Sequence, residues 1–413
     1  MDANFAKYGR WIHTLFETSY ARQLFPCFDE PKFRSAFKLQ LWLYAEYAKP
    51  SYTALSNTNG IPYKFNENLT IWTFNDTPSL PTYLFTIAIG KFDHYCCSSE
   101  LDMDQNICIW KLVNVENHLW YNVADKVCDQ ASIFQANTEN YVGINTGARL
   151  HFLIIPTYLN GMENFGLLIV SERLWPRENN KYSYIAFEKT LKHEMAHQFF
   201  GNLVTMEWWN DIWLSESLTC FLALPKLHQH RYDMDLSEDS IIDKRWAEKI
   251  PRIVYVKGAA VLSMLENVIE PSNMRLLLQV YLSRYYFQSA STKNFVEILK
   301  QVTRDFREEA PEFLMSWLTQ GSYPLVFINY DQNNQQFILS QTPKVGDISR
   351  RWLIPIWIDC AGGTVNETLY WIPKHSDLVI KLDEVTKTNQ TAAITFNNNR
   401  IVYYGIVYKY VTE

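Results

Sequence analysis

No run of about 20 apolar residues, the length a membrane-spanning helix needs, occurs anywhere in the 413-residue chain. The opening stretch MDANFAKYGRW also lacks the basic segment followed by an apolar one that marks a secretory leader. Taken as it stands, the chain neither spans a membrane nor enters the secretory route, and a complete chain of this kind would be cytoplasmic. Positive charge is scarce as well: 38 Lys and Arg stand against 44 Asp and Glu, a net charge of -6. That balance removes the basic footprint of a nucleic-acid binder or of a partner for anionic membrane. Seven cysteines (Cys27, Cys96, Cys97, Cys108, Cys128, Cys220 and Cys360) include no Cys-x-x-Cys pair, so neither a zinc knuckle nor a dithiol redox motif is present. Their expected state is the buried free thiol. Internal repeats and low-complexity tracts are missing too, which excludes a solenoid and a long flexible linker.

What the chain does have is enough apolar material to fold. Hydrophobic residues make up 47% and charged residues 20%, a globular balance, and the length predicts more than one core. From about residue 35 to 95 the chain reads as antiparallel β, in which short segments such as Phe37 to Leu43 and Tyr83 to Ile89 are separated by turn-rich SNTNG and NDTPSLP. From about residue 115 to 322 helical periodicity dominates, as in Ala186 to Leu203, Ala259 to Val268 and Thr292 to Thr303. Residues 323–413 return to strands, LVFINY, QFILS, LIPIWID, TLYWIP and IVYYGIVYKY, whose polar turns predict a small β-sandwich. The expected fold class is multidomain α+β. Sequons at Asn68, Asn75, Asn366 and Asn389 are about as many as an asparagine-rich chain yields by chance.

The reactive residue types concentrate in KHEMAHQFFGNLVTMEWWNDIWLSES, residues 192–217. His193 and His197 are four apart, so a helix stacks them on one face, where they can share one zinc ion. Glu194 lies beside them and can reach a water on that ion without being a ligand. Zinc lowers the pKa of such a water toward about 7, and a carboxylate can then take its proton. Two helical histidines can equally be surface or core residues, so the rest of the ligand set matters. A third protein ligand is needed; Glu216, nineteen residues after His197 in helix-forming WLSESLTCFLAL, is in reach if the two helices run antiparallel. Either Glu207 or Asp211, with Asp211 preferred, can hold the outer ring nitrogen of a ligand histidine; each can equally be a solvated loop carboxylate. The aromatic stretch TMEWWNDIW is expected to bury against the histidine helix and keep water away.

This constellation resembles the aminopeptidase N-like family of gluzincin zinc metallopeptidases. Matching blocks run along almost the whole chain in the family's order: FETSYARQLFPCFDEP (16–31), TALSN (53–57), PTYLFTIAIGKF (81–92), NGMENFGL (160–167), the histidine and Glu216 segments, and VYVKGAAVL around Tyr255. The resemblance implies a thermolysin-like α/β zinc peptidase domain between the β domain and the sandwich, with the family's helical C-terminal domain absent. It implies one zinc per chain held by His193, His197 and Glu216, and Glu194 as the general base. Tyr255 would stabilise the tetrahedral intermediate, a donor of a kind typically worth roughly 3 kcal/mol. Asn160, Gly161, Met162, Glu163 and Asn164 occupy the exopeptidase motif, usually Gly-Ala-Met-Glu-Asn, and Glu163 would bind the substrate's free α-amino group. A carboxylate in a partly dry cleft pairs strongly with an ammonium and fixes the scissile bond. Glu17 aligns with a second residue that helps hold the same amine, although the Gln that commonly stands two residues before it is Leu15 here. The implied activity is zinc-dependent removal of the N-terminal residue from peptides with a free N-terminus; nothing in the residues speaks to oligomeric state.

The departures from the family pattern are specific. Glu216 is flanked by Ser215 and Ser217 where the family has Asn and Gly, and the exopeptidase motif opens on Asn160 and Gly161 instead of Gly and Ala. Only 39 positions separate Glu216 from Tyr255, fewer than the family normally has, so a deletion between Pro225 and Pro251 could move the tyrosine. The first matching block belongs deep inside the family's amino-terminal domain, and the chain stops near the end of the sandwich, as expected of a product shortened at both ends. Two readings follow: an active aminopeptidase, or a zinc-binding relative that holds peptides with impaired turnover. An epoxide-hydrolysing activity of the leukotriene-hydrolase kind shares the zinc site, but no residue argues for it. By resemblance the parent protein belongs at the cell surface or outside the cell.

Overall fold

The computed structural model describes residues 10–97, 107–113, 120–177, 180–223, 237–247, 249–360, 368–385, 394–398, 400 and 402–409. The chain is a mixed α/β protein of two compact units. The first takes the described residues through Trp209 together with Leu222, Ala223 and Leu282–Ser291; the second takes Asn210–Phe221, the described residues from Ser237 to Tyr281, and those from Thr292 onward. Among the described residues no helix is long and apolar enough to cross a membrane.

The first unit begins in short antiparallel sheets. Strands Gln40–Tyr44, Leu69–Phe74 and Gly60–Asn66 form one, with Leu69–Phe74 in the middle. Ile12–His13 and Thr53–Ser56 flank Ile87–Gly90 in another. The expected strands here are displaced. Thr77 Oγ1 accepts from the Phe37 amide, so pairing starts only at Gln40, and Tyr83 lies in the 3₁₀ turn Thr82–Leu84 ahead of Ile87.

A five-stranded sheet follows, in the order Gly161–Met162, Leu167–Ser171, Leu150–Ile155, Ile107–Leu112, Phe92–Cys96. Its middle three strands are parallel and its two edges antiparallel. LHFLII and LLIVS are buried at every position, because a parallel sheet covered on both faces has no wet side and needs continuous apolar runs. Helix Trp120–Val142 sets Val123, Ala124, Val127, Cys128 and Ala131 into that core at helical spacing. Helix Lys181–Ala196 adds Phe187, Leu191 and Met195, each four residues apart, and Asn180 caps it by accepting from the Ser183 amide at 3.1 Å. This helix stops seven residues short of the expected Leu203. Beyond His197 the backbone tightens to bonds from Gln198 to Met195 and from Phe199 to Ala196, then turns at Gly201 with φ at 114°. Only glycine takes that conformation freely.

The cysteines also depart from expectation. Cys96 is bonded to Cys108 across neighbouring strands, and Cys97 to Cys128 between sheet and helix. Cys27 and Cys220 stay outside these bridges as thiols, Cys220 buried and Cys27 half-buried; the Cys360 side chain lies outside the described residues, as do Asn366 and Asn389.

In the second unit, helices Trp213–Ala223, Arg252–Ile269, Thr292–Thr303 and Ala310–Leu318 precede two sheets. One has four strands in the order Leu378–Lys381, Gln336–Pro343, Pro324–Asp331, Gly405–Lys409; the other has three, Thr368–Ile372, Ile354–Cys360, Ile394–Phe396. Lys257 is fully buried there and donates to the carbonyls of Gln320 and of Ser322, the latter at 3.0 Å, so its charge meets backbone dipoles rather than bare hydrocarbon.

Candidate metal and substrate centre

The first unit brings a histidine pair and two carboxylates, Glu163 and Glu194, together. Phe187, Leu191 and Met195 fix the roll of the helix, and His193, Glu194 and His197 follow from that roll. His197 is buried, and its Nδ1 lies 3.0 Å from the Phe200 carbonyl. A carbonyl can only accept, so Nδ1 carries the proton and Nε2 keeps a lone pair. That lone pair faces His193 Nε2 at 3.1 Å. Two nitrogens about 2.05 Å from one tetrahedral ion lie about 3.3 Å apart, so the pair fits a shared zinc ion. The outer nitrogen of His197 is therefore held by a main-chain carbonyl rather than by Asp211. Asp211 is buried in the second unit, where it accepts from the Thr292 amide (3.0 Å), the Thr292 hydroxyl (2.7 Å) and Asn210 (3.0 Å). It thus anchors the start of helix Thr292–Thr303. Glu207 is exposed. Of the aromatic stretch, Trp209 is buried against Tyr83, whereas Trp208 stays 38% exposed.

Glu163 and Glu194 are each 5% exposed, and their carboxylate oxygens lie within 4.8 Å of one another and of a His197 ring nitrogen. Gly161, on the edge strand, makes the approach possible: a Cβ there would lie 2.1 Å from Glu194 Oε1. Met162 and Asn164 are buried on the same segment and Asn160 is exposed. Glu17 is half-buried in the turn before Ala21–Gln23 and is not part of that carboxylate group.

Residue types alone did not mark the groups that hold Glu163 in place. Its main-chain carbonyl accepts from Asn202 Nδ2 at 2.7 Å and from Gln198 Nε2 at 3.3 Å, and Gln198 Oε1 accepts from the Gly166 amide at 3.3 Å. Both amides are fully buried. Arg34 grips the same turn from outside, donating to the carbonyls of Asn202 (2.9 Å) and Ser79 (2.7 Å) and to the Thr205 hydroxyl. Burial among these neutral acceptors pushes its guanidinium down to about 10. Asn57, in the TALSN block, donates to the Phe165 and Leu84 carbonyls, each at 2.8 Å. The available signal was two amide side chains in the otherwise apolar QFFGNLV, since a buried amide needs partners.

In the second unit Glu216 is buried in the first turn of its helix and Tyr255 is half-buried in Arg252–Ile269. Their neighbours join the two helices: Ser217 Oγ donates to the Val254 carbonyl at 2.7 Å, and a Cβ on Gly258 would stand 2.0 Å from that hydroxyl. The serine at the family's glycine position is thus a packing contact, matched by a glycine opposite.

The structure thus sets Glu163, next after the edge strand Gly161–Met162, beside a His-Glu-x-x-His helix. Residues 131–251 and 250–317 match the peptidase family M1 domain, and residues 4–84 match the peptidase M1 N-terminal domain. The chain belongs to peptidase family M1. It is 26% identical to tricorn protease-interacting factor F2 of Thermoplasma volcanium, over 92% of this chain and 49% of that protein. Likewise, it is 26% identical to probable aminopeptidase 1 of Sulfurisphaera tokodaii, over 96% and 51% respectively. Aminopeptidase Q of Felis catus is 28% identical, over 95% of this chain and 43% of its own length. The chain spans about half the length of these relatives.

Proposed function

We infer that the chain is a metallo-aminopeptidase, removing the N-terminal residue from peptides. The observation that supports this reading is the approach of Glu163, Glu194 and His197 within 4.8 Å, which brings two buried carboxylates to one histidine. One zinc ion held by His193, His197 and Glu216 would polarise the scissile carbonyl and acidify water there. Glu163 pairs with the substrate's α-ammonium, which fixes the first peptide bond in place and rejects internal ones, since an internal bond offers no such charge. Glu17 assists with the same amine, and Asn160, Gly161, Met162 and Asn164 form the edge along which the substrate backbone lies. Glu194 takes a proton from the attacking water and passes it to the leaving amine. The Tyr255 hydroxyl donates to the developing oxyanion, worth roughly 3 kcal/mol.

Glu216 and Tyr255 enter this scheme through their places in the family-matched stretches 131–251 and 250–317 and through the Ser217–Val254 bond joining their helices. The same reading divides the chain into an amino-terminal β domain (1–96), a thermolysin-like domain (97–322) and a β-sandwich (323–413). The test is fluorophore release from unblocked aminoacyl substrates by zinc-loaded protein, beside Glu194→Gln and an N-acetylated control. Release that needs both Glu194 and a free amine is the expected outcome. No turnover from folded, zinc-loaded protein that still binds peptides would leave a binding-only relative.

A further inference from the structure

We propose that Asn68 carries an N-linked oligosaccharide, added while the chain folds in an oxidising secretory compartment. The disulfides speak for the compartment. Cys96 ends one strand and Cys97 follows it directly, its amide still bonded to the Ile107 carbonyl, and successive residues of an extended chain point to opposite faces. Cys97 joins Cys128 in the core beneath helix Trp120–Val142, while Cys96 meets Cys108 across the strands. Four sulfurs divided between two faces cannot gather round one metal ion, and separations of 12 and 31 residues match no redox motif. What remains is a structural pair of bridges, which forms and persists where thiols are oxidised.

Of the two described sequons, Asn68-Leu69-Thr70 is the better acceptor. Asn68 is exposed in the hairpin turn between Gly60–Asn66 and Leu69–Phe74, with its backbone amide bonded to Asn66 Oδ1 at 2.8 Å. Asn75 is followed by Thr77 and Pro78, and a proline restricts the residue before it. The sheet that ends at Asn68 also leaves apolar surface bare. Trp42, Ile71 and Tyr63 lie in one cross-strand row, and Trp42, Tyr44, Tyr63 and Phe65 are all more than half exposed. Such patches mark a covered surface, and an oligosaccharide rooted at the hairpin tip covers this one.

The Asn68 amide nitrogen would bond to the anomeric carbon of a lipid-diphosphate-linked oligosaccharide. The anomeric C–O bond breaks, the lipid diphosphate leaves with the electron pair, and the amide proton passes to a base. Protein isolated from its source cells is digested without reductant, with and without peptide N-glycoamidase, and mapped by mass spectrometry. The expected result is loss of the unmodified Asn68 peptide, its return after amidase treatment with Asp at position 68, and linked Cys96–Cys108 and Cys97–Cys128 peptides. An unmodified Asn68 peptide at full yield overturns the site, and alkylatable thiols at these four cysteines overturn the compartment. Asn68→Gln should lose the sugar mass and bind more of an apolar-surface dye; unchanged dye binding overturns the covering role.

Discussion

Gly161→Ala is the sharpest perturbation of the proposed centre, because resemblance and geometry predict opposite outcomes. The family usually carries alanine here, so resemblance alone makes the change neutral. In this structure an added Cβ would lie 2.1 Å from Glu194 Oε1, 2.4 Å from Cδ and 2.8 Å from Cγ, against 3.4 Å for ordinary contact. The carboxylate must therefore withdraw by about 1.3 Å, and a reacting group misplaced by about 1 Å can cost a factor on the order of 100. Steady-state kinetics on an unblocked aminoacyl substrate should show kcat down about 100-fold, near 2.7 kcal/mol of barrier. KM should move less, since Glu163 keeps its carbonyl bonds. Overpacking should also lower folding stability by about 1–3 kcal/mol. Full kcat in a folded, zinc-loaded variant would refute the reasoning, because the base would then not depend on its seat against Gly161.

Other perturbations read separate parts of the structure. Gly258→Ala should destabilise by about 1–3 kcal/mol, and Ser217→Gly should restore much of it; a denaturant double-mutant cycle reads the coupling, expected at about 0.5–3 kcal/mol. Asn202→Leu should remove the 2.7 Å bond to the buried Glu163 carbonyl, destabilise by about 1–3 kcal/mol, and raise KM for substrates with a free amine. Replacing Cys97 and Cys128 together by alanine should remove about 3.7 kcal/mol and replacing Cys96 and Cys108 about 2.8, from loop-closure entropy over separations of 31 and 12 residues; urea titrations should rank them in that order. Burial lowers the His13 pKa from 6.5, so the unfolded chain binds more protons and stability falls as pH drops through and below 6.5. The thermal midpoint of His13→Gln should accordingly change less between pH 7.5 and pH 5.

Helix Thr292–Thr303 is legible to the residue, since Phe295, Ile298 and Leu299 repeat on one face and Thr292 is a capping type that Asp211 completes. The strands after Pro324 are legible for a similar reason: alternating burial at period two survives in the sequence. Periodicity fails where burial outlasts the helix. Phe199, Phe200 and Leu203 are all buried beyond the end of Lys181–Ala196, so the apolar pattern runs on while Gly201 turns the chain. Disulfide partners are illegible for a different reason, because pairing at separations of 12 and 31 is decided by which strand neighbours which. The motif histidines and acids can be read from spacing, whereas the groups that hold them cannot. Gln198, Asn202 and Asn57 act through backbone carbonyls, and any residue can offer a carbonyl.

The departures from the family pattern then take on a common physical form. At Gly161 and at Ser217 the change of residue is matched by a single side chain across a close approach, Glu194 in one case and the space left by Gly258 in the other. Each pair is a close approach in which a glycine leaves room for the side chain opposite, and close-packed interiors tolerate matched volumes far better than unmatched changes. A substitution at a motif position therefore cannot be scored alone: restoring the family residue at 161 without moving Glu194 should harm this chain, just as filling Gly258 should harm it while Ser217 remains.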